Sequence, residues 1–265
     1  MKRAQKNTKG DLCEEQIYEA CSESYLGCNR ALQNNRKFNV DFAGTTAISA
    51  YIQSKMRRVF ISNVGDSRAV LGRDGTAIPL SRDQTLYRGV ERQRIRKSGA
   101  RILSLDQIDG ISPITMGREN VTPGTEEMFD YRDLIEGEEE ESGLRVWHEE
   151  RDMPGSAFSR SIGDSEAEAL GVIADPEMVM LNLSEENDVI VLASDGVFEF
   201  LTNQSVIDIC MKCKDEGPLK ACEEVISRSR KFWEKYENQI DDMTMICIFI
   251  ESSSYAGQRR NRTNK

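Results

Sequence analysis

The chain has 265 residues and a mass of 30.0 kDa, which suits one domain of ordinary size or two small ones. Its 35 basic and 45 acidic residues give a formal net charge of −10. This balance argues against a nucleic-acid partner, which needs a basic face. Apolar runs are too short to span a bilayer, and no apolar segment follows the basic N-terminus as in a secretory signal. Seven cysteines, an odd number, fit buried thiols in a reducing compartment, so we expect a cytoplasmic or nuclear protein without a membrane partner.

The first element predicted is a long helix. Asp11 and Glu14 have the spacing of a capping box, and apolar residues recur every three to four positions from Ile17 to Leu32. This pattern predicts an amphipathic helix over 12–34.

A strand, a hairpin and a surface helix are predicted next. Residues 58–63 have a β-branched and aromatic composition typical of a strand. The Asp74-Gly75 dipeptide between apolar runs at 69–71 and 77–80 is a strong hairpin signal. The charge-rich stretch 84–98, followed by glycine, predicts a surface helix.

The middle of the chain loses its periodicity. Residues 106–150 contain prolines, glycines and an acidic run, and we interpret them as a flap inserted into one domain that spans 11–251. The basic residues 1–10 are expected to form an extension, and the polar, basic residues 252–265 a disordered tail.

Regular structure is predicted again in the last third. The β-branched run 188–193 indicates a strand buried on both faces. Thr202 caps a predicted helix, Gly217-Pro218 separates it from a second helix, and 243–250 is the last strand. Hairpins mixed with helix pairs favour an α+β domain over a βαβ winding.

Two predicted strands have carboxylates at their ends. Asp195 follows the strand 188–193, and Asp241 precedes the last strand. If these strands pair antiparallel, both carboxylates lie at one rim of the sheet, where their repulsion is relieved by protonation or by a hard divalent cation such as Mg²⁺ or Mn²⁺. Gly196 lets the backbone approach whatever binds there. The alternative is that both aspartates are ordinary turn residues at strand ends.

Two further motifs are polar. Gly65-Asp66-Ser67-Arg68 forms a tight turn between strands, where Asp66 and Arg68 brace the turn. Ser159 and Ser161 lie in a small-residue segment, but a serine nucleophile needs a base, and the only histidine, His148, falls in the irregular stretch. A serine hydrolase is therefore not favoured.

Taken in order, the motifs of residues 40–250 resemble the metal-dependent type 2C Ser/Thr protein phosphatases. The matching runs are Ala43–Ala47, Asn63–Leu71, Leu80–Thr85, Glu91-Arg92, Arg94-Ile95, Gly99–Ile102, Ala157–Asp164, Pro176-Glu177, Ala193–Gly196 and Asp241–Thr244. Residues 101–107 and 197–200 are most similar to a branch in which such a domain is joined to cyclic-nucleotide-binding and kinase modules.

The resemblance implies two antiparallel β-sheets packed as a sandwich, flanked by helix pairs, with a two-metal site at one edge. There a metal-bound water attacks the phosphorus of phosphoserine or phosphothreonine in a phosphoprotein substrate. By motif position Asp195 and Asp241 are implied to be metal ligands and Asp83 a ligand of a third ion. Glu199 is implied as a helper, and Asp242 as the alternative to Asp241. No catalytic side chain is identified, because the implied nucleophile is water.

One segment of the family pattern is missing. The chain contains no Asp-Gly-His-Gly, which bridges the two metals in the family, so the fold is expected to be incomplete at the N-terminus and the metal site partial. Three interpretations follow: a phosphatase whose N-terminal part is truncated and which is inactive as given, a pseudophosphatase that binds phosphoproteins without turnover, or a regulatory interaction domain without metal. A fused or associated kinase or cyclic-nucleotide-binding module is the further expected partner.

Overall fold

The computed structural model describes residues 12–111, 143–184 and 188–250. The predicted extension 1–10, the predicted tail 252–265 and most of the predicted flap lie outside the described residues.

Seven α-helices, one short 3-10 helix (Ser54–Met56) and twelve strands lie within the described residues. The helices are α1 (Glu14–Gln33), α2 (Gly89–Lys97), α3 (Leu105–Ile108), α4 (Ser165–Glu168), α5 (Asp195–Phe198), α6 (Asn203–Lys212) and α7 (Pro218–Tyr236). The strands are β1 (Gly44–Thr45), β2 (Ala47–Gln53), β3 (Arg58–Val64), β4 (Arg68–Arg73), β5 (Thr76–Pro79), β6 (Arg101–Leu103), β7 (Arg145–Trp147), β8 (Pro154–Ser156), β9 (Ile162–Gly163), β10 (Glu177–Asn182), β11 (Val189–Ala193) and β12 (Met245–Phe249). None of these helices is long and apolar enough to cross a membrane.

These elements divide into two compact units. The first unit runs to Thr45 and resumes over Gln84–Pro176, and the second comprises Thr46–Asp83 and the residues from Glu177 onward.

The second unit is a β-sandwich. One antiparallel sheet has the order β10-β3-β2, and the other has the order β12-β11-β4-β5. Alternate apolar side chains from the two sheets, such as Ile61 on β3 and Leu71 and Ile190 on the facing sheet, share one core. Full burial of each such side chain contributes roughly 1.5–3 kcal/mol. The predicted α+β class with two packed antiparallel sheets is confirmed.

A helix pair covers the outer face of the four-stranded sheet. Val189 and Val191 on β11 pack against Val206 and Ile207 of α6 and Val225 of α7. Both faces of β11 are therefore buried, as its uninterrupted β-branched sequence predicts. The predicted starts of the two helices are also correct.

The sandwich is open along the β12 edge. Among the described residues β12 pairs with β11 only. Ile246 on β12 lies opposite Leu192, which belongs to the core between the sheets, yet Ile246 is 54% exposed. An apolar side chain on the inner face of a sandwich is normally covered.

The first unit contains two smaller sheets, β6-β7-β8 and β1-β9. Trp147 on β7 is buried, and its indole Nε1 donates to the Leu103 carbonyl at 2.9 Å. The prediction of an irregular segment over 106–150 is therefore wrong at Arg145–Trp147, because β7 forms the centre of a sheet, and at its start, where α3 extends to Ile108.

Two predicted helices begin later than expected. α1 begins at Glu14, and the side chain of Gln16 accepts from the Cys13 N–H at 3.0 Å, so Glu14 is not the capping residue predicted. Its predicted partner Asp11 lies outside the described residues. α2 begins at Gly89 rather than at 84, because the Gln84 carbonyl accepts a backbone hydrogen bond from Ser159.

A buried ionic network holds the first unit together. The Glu91 side chain is 0% exposed and accepts hydrogen bonds from Arg160 and Arg94 at 2.8 and 2.6 Å and from the Ser159 hydroxyl at 2.6 Å. Burial alone raises the pKa of Glu91, but the two arginines and the hydroxyl outweigh it and hold this pKa at about 2.

We expect Glu91→Gln to lower the free energy of unfolding by about 3 kcal/mol at pH 7, because it leaves two arginines without their buried partner. The contribution of a carboxylate with a lowered pKa is complete above its ordinary pKa of 4.5 and is lost as the pH falls through 2. The difference in the free energy of unfolding between the wild type and Glu91→Gln should therefore decrease below pH 4.5. Urea unfolding followed by circular dichroism measures it. The exposed pair Glu23–Arg30 provides the control, Glu23→Gln, with an effect within about 0.5 kcal/mol. A pH-independent difference would contradict this account of Glu91.

Candidate metal centre

The register of β11 brings distant acidic residues to one rim. Ala193, the last residue of β11, pairs with Arg68 at the start of β4 and with Met245 at the start of β12. The predicted antiparallel pairing of β11 with the last strand is therefore confirmed. Because Asp195 follows Ala193 by two residues, it leaves the sheet at the end where Asp241 and the turn before β4 enter it.

Backbone contacts fix the two ends to each other. The Ser194 and Thr244 backbones are joined by a 3.0 Å hydrogen bond, and the Ser194 hydroxyl accepts from the Thr244 N–H and donates to the Asp242 carbonyl. A Cβ at Gly196 would lie 2.6 Å from the Asp242 carbonyl oxygen. Gly196 was expected to allow a close approach to a bound group, but the group close to it is the Asp242 backbone before β12.

Each predicted ligand is anchored locally. The Asp195 carboxylate accepts from the Gly196 N–H at 2.9 Å, and Asp241 accepts from the Asp242 N–H at 2.7 Å. Burial raises the pKa of Asp195, and the nearby charges of Asp241 and Glu199 raise it further. Asp195, Asp241 and Glu199 are therefore close enough to interact electrostatically.

Asp66 is the acidic residue whose place in this group the sequence did not suggest. Burial raises its pKa to about 7, with further contributions from the charges of Asp195, Asp83 and Asp241. From the sequence alone, Asp66 was expected only to brace its turn. Its position next to β11 depends on the order of strands in the sheet, which no local pattern shows.

Asp83 has a different environment. Its two carboxylate oxygens accept from Arg68 at 3.0 and 2.5 Å, and Arg68 also donates to Asn203 at 3.0 Å and stacks over the Phe198 ring at 4.7 Å. Arg68 thus braces Asp83 and the start of α6.

Gly65 meets a steric requirement in this turn. It has a φ of +99°, and a Cβ there would lie 2.3 Å from the Thr46 side chain. Only glycine fits this conformation and this close approach.

The serines considered as nucleophiles have structural roles in the first unit. Ser159 is fully buried and donates to the Gln84 carbonyl and to Glu91. Ser161 is also buried, and the His148 Nδ1 accepts from the Glu150 N–H. These contacts give the Ser159 hydroxyl a structural role within the first unit.

The acidic rim, formed by Asp66, Asp195 and Asp241, has the ligand chemistry of a cation site, but its side chains do not converge on one point. Within the described ranges, no three acidic, histidine or cysteine side chains converge tightly enough to hold an ion. The available donors are carboxylate oxygens, and an all-oxygen ligand set favours a hard cation such as Mg²⁺ or Mn²⁺. Asp195, Asp241 and Asp66 would hold such an ion, and its charge would offset the repulsion that raises the pKa values of Asp66 and Asp195.

Comparisons with known proteins agree with the α+β fold of two packed antiparallel sheets. The model of the family "Protein phosphatase 2C" matches residues 1–232. The chain belongs to the protein phosphatase 2C family, whose members are metal-dependent protein Ser/Thr phosphatases.

Two curated relatives are from Arabidopsis thaliana. "Probable protein phosphatase 2C 35" is 36% identical over 242 residues, covering 89% of this chain and 64% of that protein. "Probable protein phosphatase 2C 72" is 30% identical over 256 residues, covering 93% of this chain and 66% of that protein. The chain therefore spans less than two thirds of the length of either relative.

Solved structures share the fold at low identity. A serine-threonine phosphatase 2C from Toxoplasma gondii aligns with a TM-score of 0.67 and 16% identity, over 92% of this chain and 72% of that one. A C. elegans sex determining protein aligns with a TM-score of 0.59 and 14% identity, over 96% of this chain and 50% of that one.

The contact at Gly196 gives a first prediction for this site. Gly196→Ala should lower the free energy of unfolding by about 1–3 kcal/mol, because the new methyl group overlaps the Asp242 carbonyl. Gly27→Ala in α1 is the control, since its Cβ has ordinary contacts only, and it should be neutral or stabilising by up to about 1 kcal/mol. Thermal unfolding of both variants is the measurement. Equal effects of the two substitutions would show that the backbone approach at Gly196 is not close.

The acidic rim gives a second prediction. A carboxyl group whose pKa is raised on folding destabilises the fold as the pH rises from its ordinary value of 3.8 through about 7. Asp66→Asn should therefore stabilise the metal-free protein, fully so above pH 7, by roughly 1–3 kcal/mol. Urea unfolding at pH 5 and pH 8 in the presence of EDTA tests this. Asp215→Asn, at an exposed site, should have no such pH-dependent effect.

Proposed function

We propose that the chain carries part of the active site of a metal-dependent protein phosphatase, with Asp195 and Asp241 as cation ligands and Asp66 as a third carboxylate of the same rim. The observation that carries this proposal is that the charges of Asp195 and Asp241 raise the pKa of the buried Asp66, and that the charge of Asp241 raises the pKa of Asp195. Holding like charges together lowers the stability of the fold, and a bound divalent cation offsets their repulsion.

The roles of the other residues follow from their contacts. Ser194 and Gly196 hold the two strand ends together and so set the separation of Asp195 and Asp241. Arg68 orients Asp83 toward the same rim through two hydrogen bonds. A Mg²⁺ or Mn²⁺ ion bound there would supply positive charge for phosphate oxygens and lower the pKa of a water, the chemistry needed to hydrolyse phosphoserine or phosphothreonine.

We further propose that the chain as given lacks part of this site and is inactive. The absence of Asp-Gly-His-Gly from the sequence supports this proposal, as does the exposure of Ile246 on the open edge of the sandwich. Three carboxylates can hold one hydrated Mg²⁺ weakly, since this ion keeps several waters. They do not clamp two ions about a bridging water.

A pseudophosphatase or regulatory interaction domain is the second candidate. The bidentate pairing of Asp83 with Arg68 favours it, because this arginine occupies both oxygens of one implied metal ligand. In that case the domain would bind phosphoproteins or other partners without turnover. Under either proposal a fused or associated kinase or cyclic-nucleotide-binding module and a cytoplasmic or nuclear location remain expectations from the sequence.

The first test uses the chain as given. We expect little or no Mn²⁺-dependent hydrolysis of a phosphothreonine peptide, because the cation site is incomplete. The same assay on Asp195→Asn should give the same low value. Robust turnover that Asp195→Asn abolishes would contradict the proposed inactivity and establish the chain as a complete enzyme.

The same assay applies to a longer protein. If the coding sequence upstream encodes a strand ending in Asp-Gly, its inclusion should produce Mn²⁺-dependent activity that is lost in Asp241→Asn. Asp215→Asn is the matched control and should retain activity. An extended protein that contains this segment, folds and stays inactive would favour the pseudophosphatase.

A further inference from the structure

Helix α7 contacts the carbonyl group of Gly196, the residue that follows Asp195. The indole Nε1 of Trp233 donates to the Gly196 carbonyl oxygen at 2.7 Å. The hydroxyl of Ser229 donates to the same oxygen at 2.9 Å. Since the two residues are four positions apart, they lie on one face of the helix.

Both donors are held in place by packing. Ser229 is 0% exposed. The Trp233 ring meets the Phe200 ring edge-on, with centroids 5.1 Å apart and planes at 89°. Such aromatic contacts fix the orientation of an indole beyond what its hydrogen bond does. The Gly196 carbonyl therefore has two directed donors with little freedom to move.

The opposite side of Gly196 is also fixed. The Asp242 carbonyl oxygen lies against its Cα, and the Gly196 N–H donates to the Asp195 carboxylate at 2.9 Å. The Asp195-Gly196 segment is thus held between α7 and the strand end that carries Asp241. Rotation of this segment would move the Asp195 carboxylate relative to the rim.

We propose that Ser229 and Trp233 are positioning residues for Asp195. They set the direction of its carboxylate by fixing the Gly196–Val197 peptide group, and they do not touch the cation themselves. This inference rests on the proposed role of Asp195 as a cation ligand. Residues that orient metal ligands typically change metal affinity by about 10- to 100-fold when they are replaced.

Calorimetric titration of the full chain with Mn²⁺ tests the proposal. Trp233→Phe keeps an aromatic ring but removes the N–H donor, and we expect about tenfold weaker binding. Ser229→Ala should have a similar effect, and the double variant a larger one. Circular dichroism and thermal unfolding of each variant verify that α7 and the sandwich remain folded.

The chain offers a matched control. Trp147 is the other tryptophan of the chain and lies in the first unit. Its Nε1–H also donates to a backbone carbonyl, that of Leu103, at 2.9 Å. Trp147→Phe therefore removes the same type of hydrogen bond and should leave Mn²⁺ affinity unchanged. A loss of affinity in both tryptophan variants would indicate general destabilisation and overturn the positioning role.

The outcomes separate this inference from the proposed function. If the wild-type chain does not bind Mn²⁺, or Asp195→Asn binds it equally well, both proposals fail. If Asp195→Asn loses binding while Trp233→Phe and Ser229→Ala bind like the wild type, only the positioning role fails.

A spectroscopic readout provides the second test. In the Trp147→Phe protein, Trp233 is the sole tryptophan, so its emission reports on this contact directly. Mn²⁺ should change that emission at the concentrations at which calorimetry detects binding, and adding Asp195→Asn should abolish the change. Binding without any change in Trp233 emission would overturn the proposed coupling.

Discussion

The arrangement of the second unit depends on β11 lying between β4 and β12, antiparallel to both. This single pairing pattern makes Ala193 a neighbour of Arg68 and of Met245. Aspartates that are far apart in the chain consequently meet at one rim. The apolar faces of β11 enforce the register, because a shift by one residue would exchange the side buried between the sheets with the side buried under α6 and α7.

The same pattern has an electrostatic cost. The charges of Asp195 and Asp241 raise the pKa of Asp66, and the charge of Asp241 raises the pKa of Asp195, in a chain whose net charge is already −10. Ser194 and Gly196 prevent the strand ends from separating to relieve this repulsion. The repulsion can then be reduced only by proton uptake or by cation binding. The aspartates proposed to bind the cation are therefore also residues that destabilise the metal-free fold.

The sequence predicted what local patterns determine. The β-branched run of β11, the Thr202 cap of α6 and the proline at the start of α7 each depend on a few consecutive residues, and the structure has them all. β7 and the late start of α2 were missed because both depend on partners remote in sequence. The meeting of Asp195 and Asp241 was predictable from one assumed pairing, whereas the place of Asp66 required the whole sheet order.

The family motifs of the chain fall into two physical kinds. In the segment 157–164, Ser159 and Arg160 bind buried Glu91, and Asp164 accepts from the Ala167 N–H to cap α4. These polar residues are consumed by hydrogen bonds within the first unit, so their resemblance to a known pattern reflects the requirements of folding. In the second unit, the motif aspartates 66, 195 and 241 repel one another. Polar residues that stabilise a fold form hydrogen bonds or ion pairs with each other. Carboxylates that are held close enough to repel one another destabilise the fold, and a bound ligand of opposite charge explains why they are placed together.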